Sequence, residues 1–227
     1  PLGHCDQCVI DAAAVRQPGR LVVQVPRGSN ARGHLGPLEL VRVLLRAFRR
    51  AGLPVSYSRG FHPKPRVSFY DALPVGMESL QETLDVELRG SINPQEVLKT
   101  VDQELPLGIR VTGMQPIPKR KKGPVRRESE YLVTSDGHPY NREDLEAFQT
   151  ARSFPIIKEG KKGAREVDAK SIVRQIDLEA PNRLRIILLY GKGPVLKPME
   201  LLGGIFHLRK EDLTGLQIVK IRETFIA

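Results

Sequence analysis

Tryptophan is absent from this 227-residue chain and all aromatic residues together make up 5% of it, which argues against a long platform for stacking successive bases of a single strand. Cysteine is nearly absent too. Cys5 and Cys8 are the only two, too few for a disulfide framework, and their C-x-x-C spacing suits a metal or a redox pair. No apolar run approaches the roughly 20 residues that would span a bilayer, and no charged-then-apolar leader precedes a cleavage site, so a cytoplasmic protein is expected. A C-x-x-x-C-x-x-C cluster motif, a Walker loop, a G-x-S-x-G elbow and G-x-G-x-x-G are all missing. The chain begins at Pro1 rather than at a methionine, which reads as a fragment of a longer protein. Acidic residues are outnumbered: 26 Asp and Glu stand against 36 Lys and Arg, a formal charge of +10. An excess of that size points to an anionic partner, and phosphate contacts suit it better than base stacking.

What is present divides into two halves. The 40% hydrophobic fraction and the length allow two ordinary domains. Arg20 to Pro26 reads as a strand. Leu38 to Ala51 reads as an amphipathic helix, with Val41, Leu44, Leu45 and Phe48 on its apolar face and Gly52 closing it. Val55 to Ser58, Arg66 to Phe69 and Thr83 to Leu88 read as extended. Asn93 and Pro94 open a second helix, and Ile109 to Met114 a further strand. After KRKKGPVRR, the basic run Lys119 to Arg127, strands are expected at Glu130 to Thr134, Phe154 to Lys158, Arg183 to Tyr190 and Gln217 to Phe225. Helices are expected at Arg142 to Arg152 and Met199 to Leu208, with a polar insertion around Lys161 to Pro181. The fold expected is α+β, two ferredoxin-like (βαββαβ) halves in tandem. The boundaries are a Cys-bearing junction at 1–19, a first half at 20–118, a basic linker at 119–127 and a second half at 128–227.

Cations concentrate in the first half. Arg42, Arg46, Arg49 and Arg50 lie on the helix face turned away from the apolar stripe, because each residue advances about 100°. Guanidinium forks suit phosphate oxygens; a solvated helix face is the other reading. The loop YSRGFHPKPRVSF, Tyr57 to Phe69, adds Ser58, Arg59, Phe61, Lys64 and Arg66, a set able to meet phosphate, sugar and base. A wide proline-rich turn with Phe61 tucked into the core would also account for it. His34 and His62 are candidate general acid and base for RNA cleavage, although a loop histidine more commonly only hydrogen-bonds. His4, Cys5 and Cys8 make half a metal site, lacking the rest of the four ligands a soft metal wants.

The stretch from His34 through Glu78 closely resembles the bacterial radical-SAM-linked, or radical-SAM-associated, domains. Arg42, Arg46, Arg49, Arg50, Ser58, Gly60, Phe61, Pro63, Pro65, Ser68, Phe69, Pro74, Gly76 and Ser79 fall on that pattern. The chain departs from it at GHLGPLELVR, where relatives have a shorter S-H-L-D form, and at His62, where asparagine is common. The resemblance implies a non-catalytic accessory domain fused to, or working beside, a radical-SAM barrel. SAM, an iron-sulfur cluster and cobalamin would belong to that parent and not to this fragment. RNA, as tRNA or rRNA presented for modification, is the expected partner, with no membrane. A protein-docking module is the alternative. Paired ferredoxin-like halves with basic loops are also similar to the CRISPR-associated RNA endonucleases of the RAMP class, whose glycine-rich C-terminal loop is not evident here.

Overall fold

The computed structural model describes residues 16–25, 37–69, 77–90, 93–116, 126–136, 140–160, 163–191 and 193–226. The chain divides into two units, one formed from Pro1–Val23, Leu38–Ala72 and Thr83–Arg120, the other from Gln24–Pro37, Leu73–Glu82 and Lys121–Ala227. It is a mixed α+β structure in which every strand pair with a described register is antiparallel except one. No helix among the described residues is long and apolar enough to cross a membrane.

The first unit runs β1 (Arg16–Val25), α1 (Pro37–Arg50), β2 (Val67–Phe69), β3 (Glu78–Arg89), α2 (Pro94–Gln103) and β4 (Arg110–Pro116). Its strand order is β4-β1-β3, with β2 antiparallel to β3 so that Val67 faces Val86 and Phe69 faces Leu84. The order of elements is the β-α-β-β-α-β of a ferredoxin-like unit. α2 starts where its sequence says it should: Asn93 Oδ1 accepts from the Gln95 N–H at 3.0 Å and Pro94 occupies the first turn, where its missing N–H costs nothing. Val97 and Val101, four apart, are its buried face. The next turn is tied down by Asp102, whose carboxylate accepts from Arg110 at 2.9 Å and from the Val111 N–H at 3.1 Å. The Arg110 hydrogen bond is the main reason that this carboxyl is held below the usual range.

The second unit contains β5 (Arg127–Ser135), α3 (Arg142–Thr150), β6 (Pro155–Lys158), β7 (Arg165–Asp168), β8 (Val173–Ala180), β9 (Arg183–Tyr190), α4 (Pro198–Ile205), α5 (Lys210–Thr214) and β10 (Leu216–Phe225). Its strands lie in the order β10-β5-β9-β8, and the start of β3, up to Glu82, belongs to this unit and pairs in parallel with β10, Glu78 facing Val219. β9 alternates cleanly: Leu184, Ile186, Leu188 and Tyr190 are buried in the core with residues of α3 and α4. The expected polar insertion around Lys161 to Pro181 is largely structured. β7 pairs with β6 in a separate hairpin, and β8 takes the place beside β9 that the expected strand Phe154 to Lys158 would have filled. The reason lies in β8 itself. As the last strand in this order it fully buries only Ile176, and register shifts near each end break its alternation, so its composition reads as loop.

The hairpin is held to α4 by a close approach. A Cβ built on Gly204 would lie 2.7 Å from Ile156 Cδ1 and 2.8 Å from its Cγ1, and Lys158 Nζ bonds the Val195 carbonyl at 2.7 Å and Glu200 at 2.8 Å. Gly203, one residue earlier, meets nothing nearer than 3.6 Å. Opposite outcomes are therefore expected from two chemically identical changes. Gly203→Ala should stabilise by up to about 1 kcal/mol through helix propensity. In Gly204→Ala that gain is outweighed by overpacking against the β-branched Ile156, for a net loss of about 1–2 kcal/mol. Urea unfolding of the two variants checks this; equal shifts would show that β6 yields freely.

The start of β3 together with β5 and β10 carries a buried set of charges. Lys220 Nζ is 3.2 Å from Glu82 and 3.1 Å from Glu223, and the three side chains are at most 3% exposed. Arg127 Nε is 3.2 Å from the same Glu223 oxygen, and its guanidinium also lies over the Tyr190 ring. Burial works against the Lys220 ammonium, but the two carboxylates outweigh it and hold the group protonated well above its ordinary range. Glu82 is pushed up, by burial first and by Glu223 in addition, against the pull of Lys220.

Candidate nucleic-acid interface

α1 opens at Pro37 and ends where Gly52, at φ +67, turns the chain. Leu40, Leu44, Ala47 and Phe48 are its buried face. That face is rotated from the expected stripe of Val41, Leu44, Leu45 and Phe48, since Val41 and Leu45 are only half-buried. The rotation sharpens the opposite side. Taking Leu40 as zero and advancing about 100° per residue, the buried residues centre near 25° and Arg42, Arg46 and Arg49 near 205°. All three are exposed. Among the described residues none of them has a carboxylate partner, whereas Arg50 is committed: its Nε lies 2.8 Å from Glu104 Oε2, tying the end of α1 to the end of α2. Beside Arg46 a shallow depression of about 460 Å³ is lined by Val43, Arg50, Gln103, Glu104, Leu105 and Pro106.

The loop after α1 is an excursion from a strand. Val55 faces Leu88 across the sheet, the Ser56 N–H donates to the Glu87 carbonyl at 2.7 Å, and the Glu87 N–H donates to the Arg66 carbonyl at 3.0 Å. Ser56 and Arg66 thus share one position opposite β3, and Val67 continues the pairing at Val86. Between them the chain folds back on itself, Tyr57 facing Pro65. The tip is closed by a reciprocal pair of bonds beside that bridge: the Ser58 N–H donates to the Lys64 carbonyl at 2.8 Å, and the Lys64 N–H donates to Ser58 Oγ at 2.9 Å. Gly60 at φ +135 lets the tip turn. Arg59, Phe61, His62 and Lys64 are exposed, and Phe61 reaches 104% exposure, so it is not tucked into the core.

These placements sort the residues singled out by sequence. Arg42, Arg46, Arg49, Arg59 and Lys64 are exposed cations in one unit, and Phe61 joins them at the tip. Ser58 uses its hydroxyl to close the loop, and Arg66 pairs with Glu87 at 3.3 Å. The pairing of Arg50 and Arg66 was not visible in sequence, because Glu104 and Glu87 stand 54 and 21 residues away. His62 is exposed at the tip; its proposed partner His34 lies outside the described residues, as do His4, Cys5, Cys8 and most of the run Lys119 to Arg127. Among the described residues no group of three or more His, Cys, Asp or Glu is placed to hold a metal ion.

Comparison with known proteins adds a family. A family model described as an uncharacterized protein conserved in bacteria (DUF2344) matches residues 20–198, and the chain belongs to that family. No curated protein matches. Among solved structures, the acetolactate synthase small subunit from Thermotoga maritima is 13% identical, over 94% of this chain and 98% of that one, at a TM-score of 0.27. An unknown protein from Galdieria sulphuraria is 12% identical, over 94% of this chain and 100% of that one, at 0.30. Likenesses at that level carry no argument about what this chain does.

Proposed function

We propose that this member of a conserved bacterial family is an RNA-binding accessory module, holding the sugar-phosphate backbone with Arg42, Arg46 and Arg49 of α1 and with Arg59 and Lys64 of the neighbouring loop. The observation that carries this reading is the sorting of the arginines. Those in structural positions, Arg50 and Arg66, have carboxylates. The three opposite the buried face of α1 have none among the described residues, although one carboxylate each would have neutralised them at little cost. Seven residues separate Arg42 from Arg49, about 10 Å along the helix, enough for a row of phosphate contacts. Such contacts position a nucleic acid without reading its sequence.

The strand orders support a fold of two ferredoxin-like halves in tandem. β4-β1-β3-β2 in the first unit has its counterpart in β10-β5-β9-β8 of the second, with the β6–β7 hairpin inserted. The resemblance of the His34 to Glu78 stretch to radical-SAM-associated domains supports placing the module beside a radical-SAM barrel, in the same chain or in trans. There it would present tRNA or rRNA for modification. SAM, an iron-sulfur cluster and cobalamin would then be held by the barrel.

The test is direct titration of total bacterial tRNA and rRNA against the chain at several salt concentrations. Log K is expected to fall linearly with log salt, by roughly 0.7–0.9 per phosphate neutralised, a slope of about −3.5 to −4.5 if all five cations engage. Affinity that stays constant while salt rises several-fold would reject the RNA reading and favour a protein-docking module.

A further inference from the structure

We infer that the loop tip recognises an unpaired nucleobase, with Phe61 stacking on a base that has left its helix, so that the bound RNA carries a loop, bulge or extruded nucleotide at this point. The inference rests on the RNA-binding reading above and names the kind of RNA that reading leaves open.

The first ground is that the sheet has no need of this segment. Ser56 and Arg66 occupy the same position opposite Glu87, so β2 could run straight from Val55 to Val67 with its ladder intact. Everything from Tyr57 to Pro65 is additional chain. Ordering it costs backbone entropy that no burial at the tip offsets, since Arg59, Gly60, Phe61, His62, Pro63 and Lys64 are all exposed.

The second ground is that the tip is built before any ligand arrives. The reciprocal Ser58 and Lys64 bonds lock its base, and two prolines restrict the returning limb. A fixed loop presents Phe61 in one place, and rigidity in the free state lowers the entropy lost on binding. A plain connection would need neither the lock nor an aromatic ring held fully in water.

The third ground is the company Phe61 keeps. Its exposed neighbours are Arg59, His62 and Lys64, and Tyr57 at the base of the excursion is the nearest aromatic in sequence, 39% exposed. A site made to enter an apolar protein groove would surround its anchor with further apolar groups. One ring between cations instead matches a nucleotide, whose base offers a flat π-face and whose flanking phosphates take the charges. A continuous duplex buries its base faces, which is why the target must be unpaired.

The experiment compares the wild type with Phe61→Ala and Phe61→Trp on two RNAs of equal length, a hairpin with an unpaired loop and a blunt perfect duplex, by fluorescence anisotropy at matched points of one salt series. The wild type is expected to prefer the hairpin. Phe61→Ala should weaken hairpin binding roughly 5- to 100-fold, leave duplex binding and the salt slope unchanged, and melt at the wild-type temperature, while Phe61→Trp keeps the preference. Equal binding of both RNAs by the wild type, or a hairpin affinity indifferent to Phe61→Ala, overturns the inference and leaves the phosphate-binding reading standing. Failure of the wild type to bind either RNA overturns both, and loss of a protein partner in Phe61→Ala with RNA binding intact reassigns the tip to docking.

Discussion

Lys220→Met should lower the stability of the second unit by about 3–5 kcal/mol. The magnitude follows from what is left behind. Glu82 and Glu223 are each 1% exposed, and Lys220 lies within 3.2 Å of both. Removing the ammonium leaves two buried carboxylates with Arg127 alone against them, and Arg127 reaches Glu223. The expected relief is protonation of Glu82, the carboxyl already pushed up by burial. A second variant therefore separates the charge from the packing. Glu82→Gln combined with Lys220→Met removes one charge of each sign, and should recover part of the loss because the residual Glu223 keeps Arg127. Urea unfolding followed by circular dichroism reads both variants. If Lys220→Met costs less than about 1 kcal/mol, the four groups are better solvated than their exposures imply, and the charges do not hold the β3–β10–β5 arrangement together.

Replacing Arg42, Arg46 and Arg49 together by alanine should abolish most RNA binding while leaving the fold intact. Removing a cation that neutralises one phosphate is expected to reduce the salt slope by about one, so the triple variant should flatten it by roughly 2–3 and weaken affinity at low salt by roughly two orders of magnitude. Stability should move by no more than about 0.5 kcal/mol, because all three side chains are exposed and the substitutions favour helix. The comparison variant is Arg50→Ala. That residue lies on the same helix and carries the same charge, but it is paired with Glu104. Its replacement should change stability slightly and the salt slope hardly at all. A triple variant that binds as tightly as the wild type, with the slope unchanged, would remove α1 from the interface.

Much of this chain could be read locally. The cap formed by Asn93 and Pro94, the run of Leu and Ile within Arg183 to Tyr190 and the amphipathic spacing before Gly52 each involve residues within a turn or two of one another, and each produced the expected element. Periodicity was less informative about where a face is centred. It chose Val41 and Leu45, whereas the fold buries Leu40 and Ala47, because a stripe of four residues can be rotated by about 65° around the helix without losing its i, i+4 spacing. β8 escaped notice for a related reason: a strand with one partner and a single fully buried side chain has the composition of a loop.

The sequence by itself determined the excess of positive charge, the order of most helices and strands, and the concentration of cations between Arg42 and Arg66. Only the tertiary structure decided which of those cations are available. Glu104 reaches Arg50 and Glu87 reaches Arg66 across the first unit, and Glu82 meets Lys220 from 138 residues away. Lys220 sits in IVKIRETF, which alternates like a strand with its lysine in water, yet it is buried. Phe61 sits in a loop that could have folded inward, yet it is fully exposed. Spacing along the chain encodes local geometry, because hydrogen bonds within a turn depend on near neighbours alone. The pairing of charges depends on strand register and topology, which bring together residues that no local pattern relates.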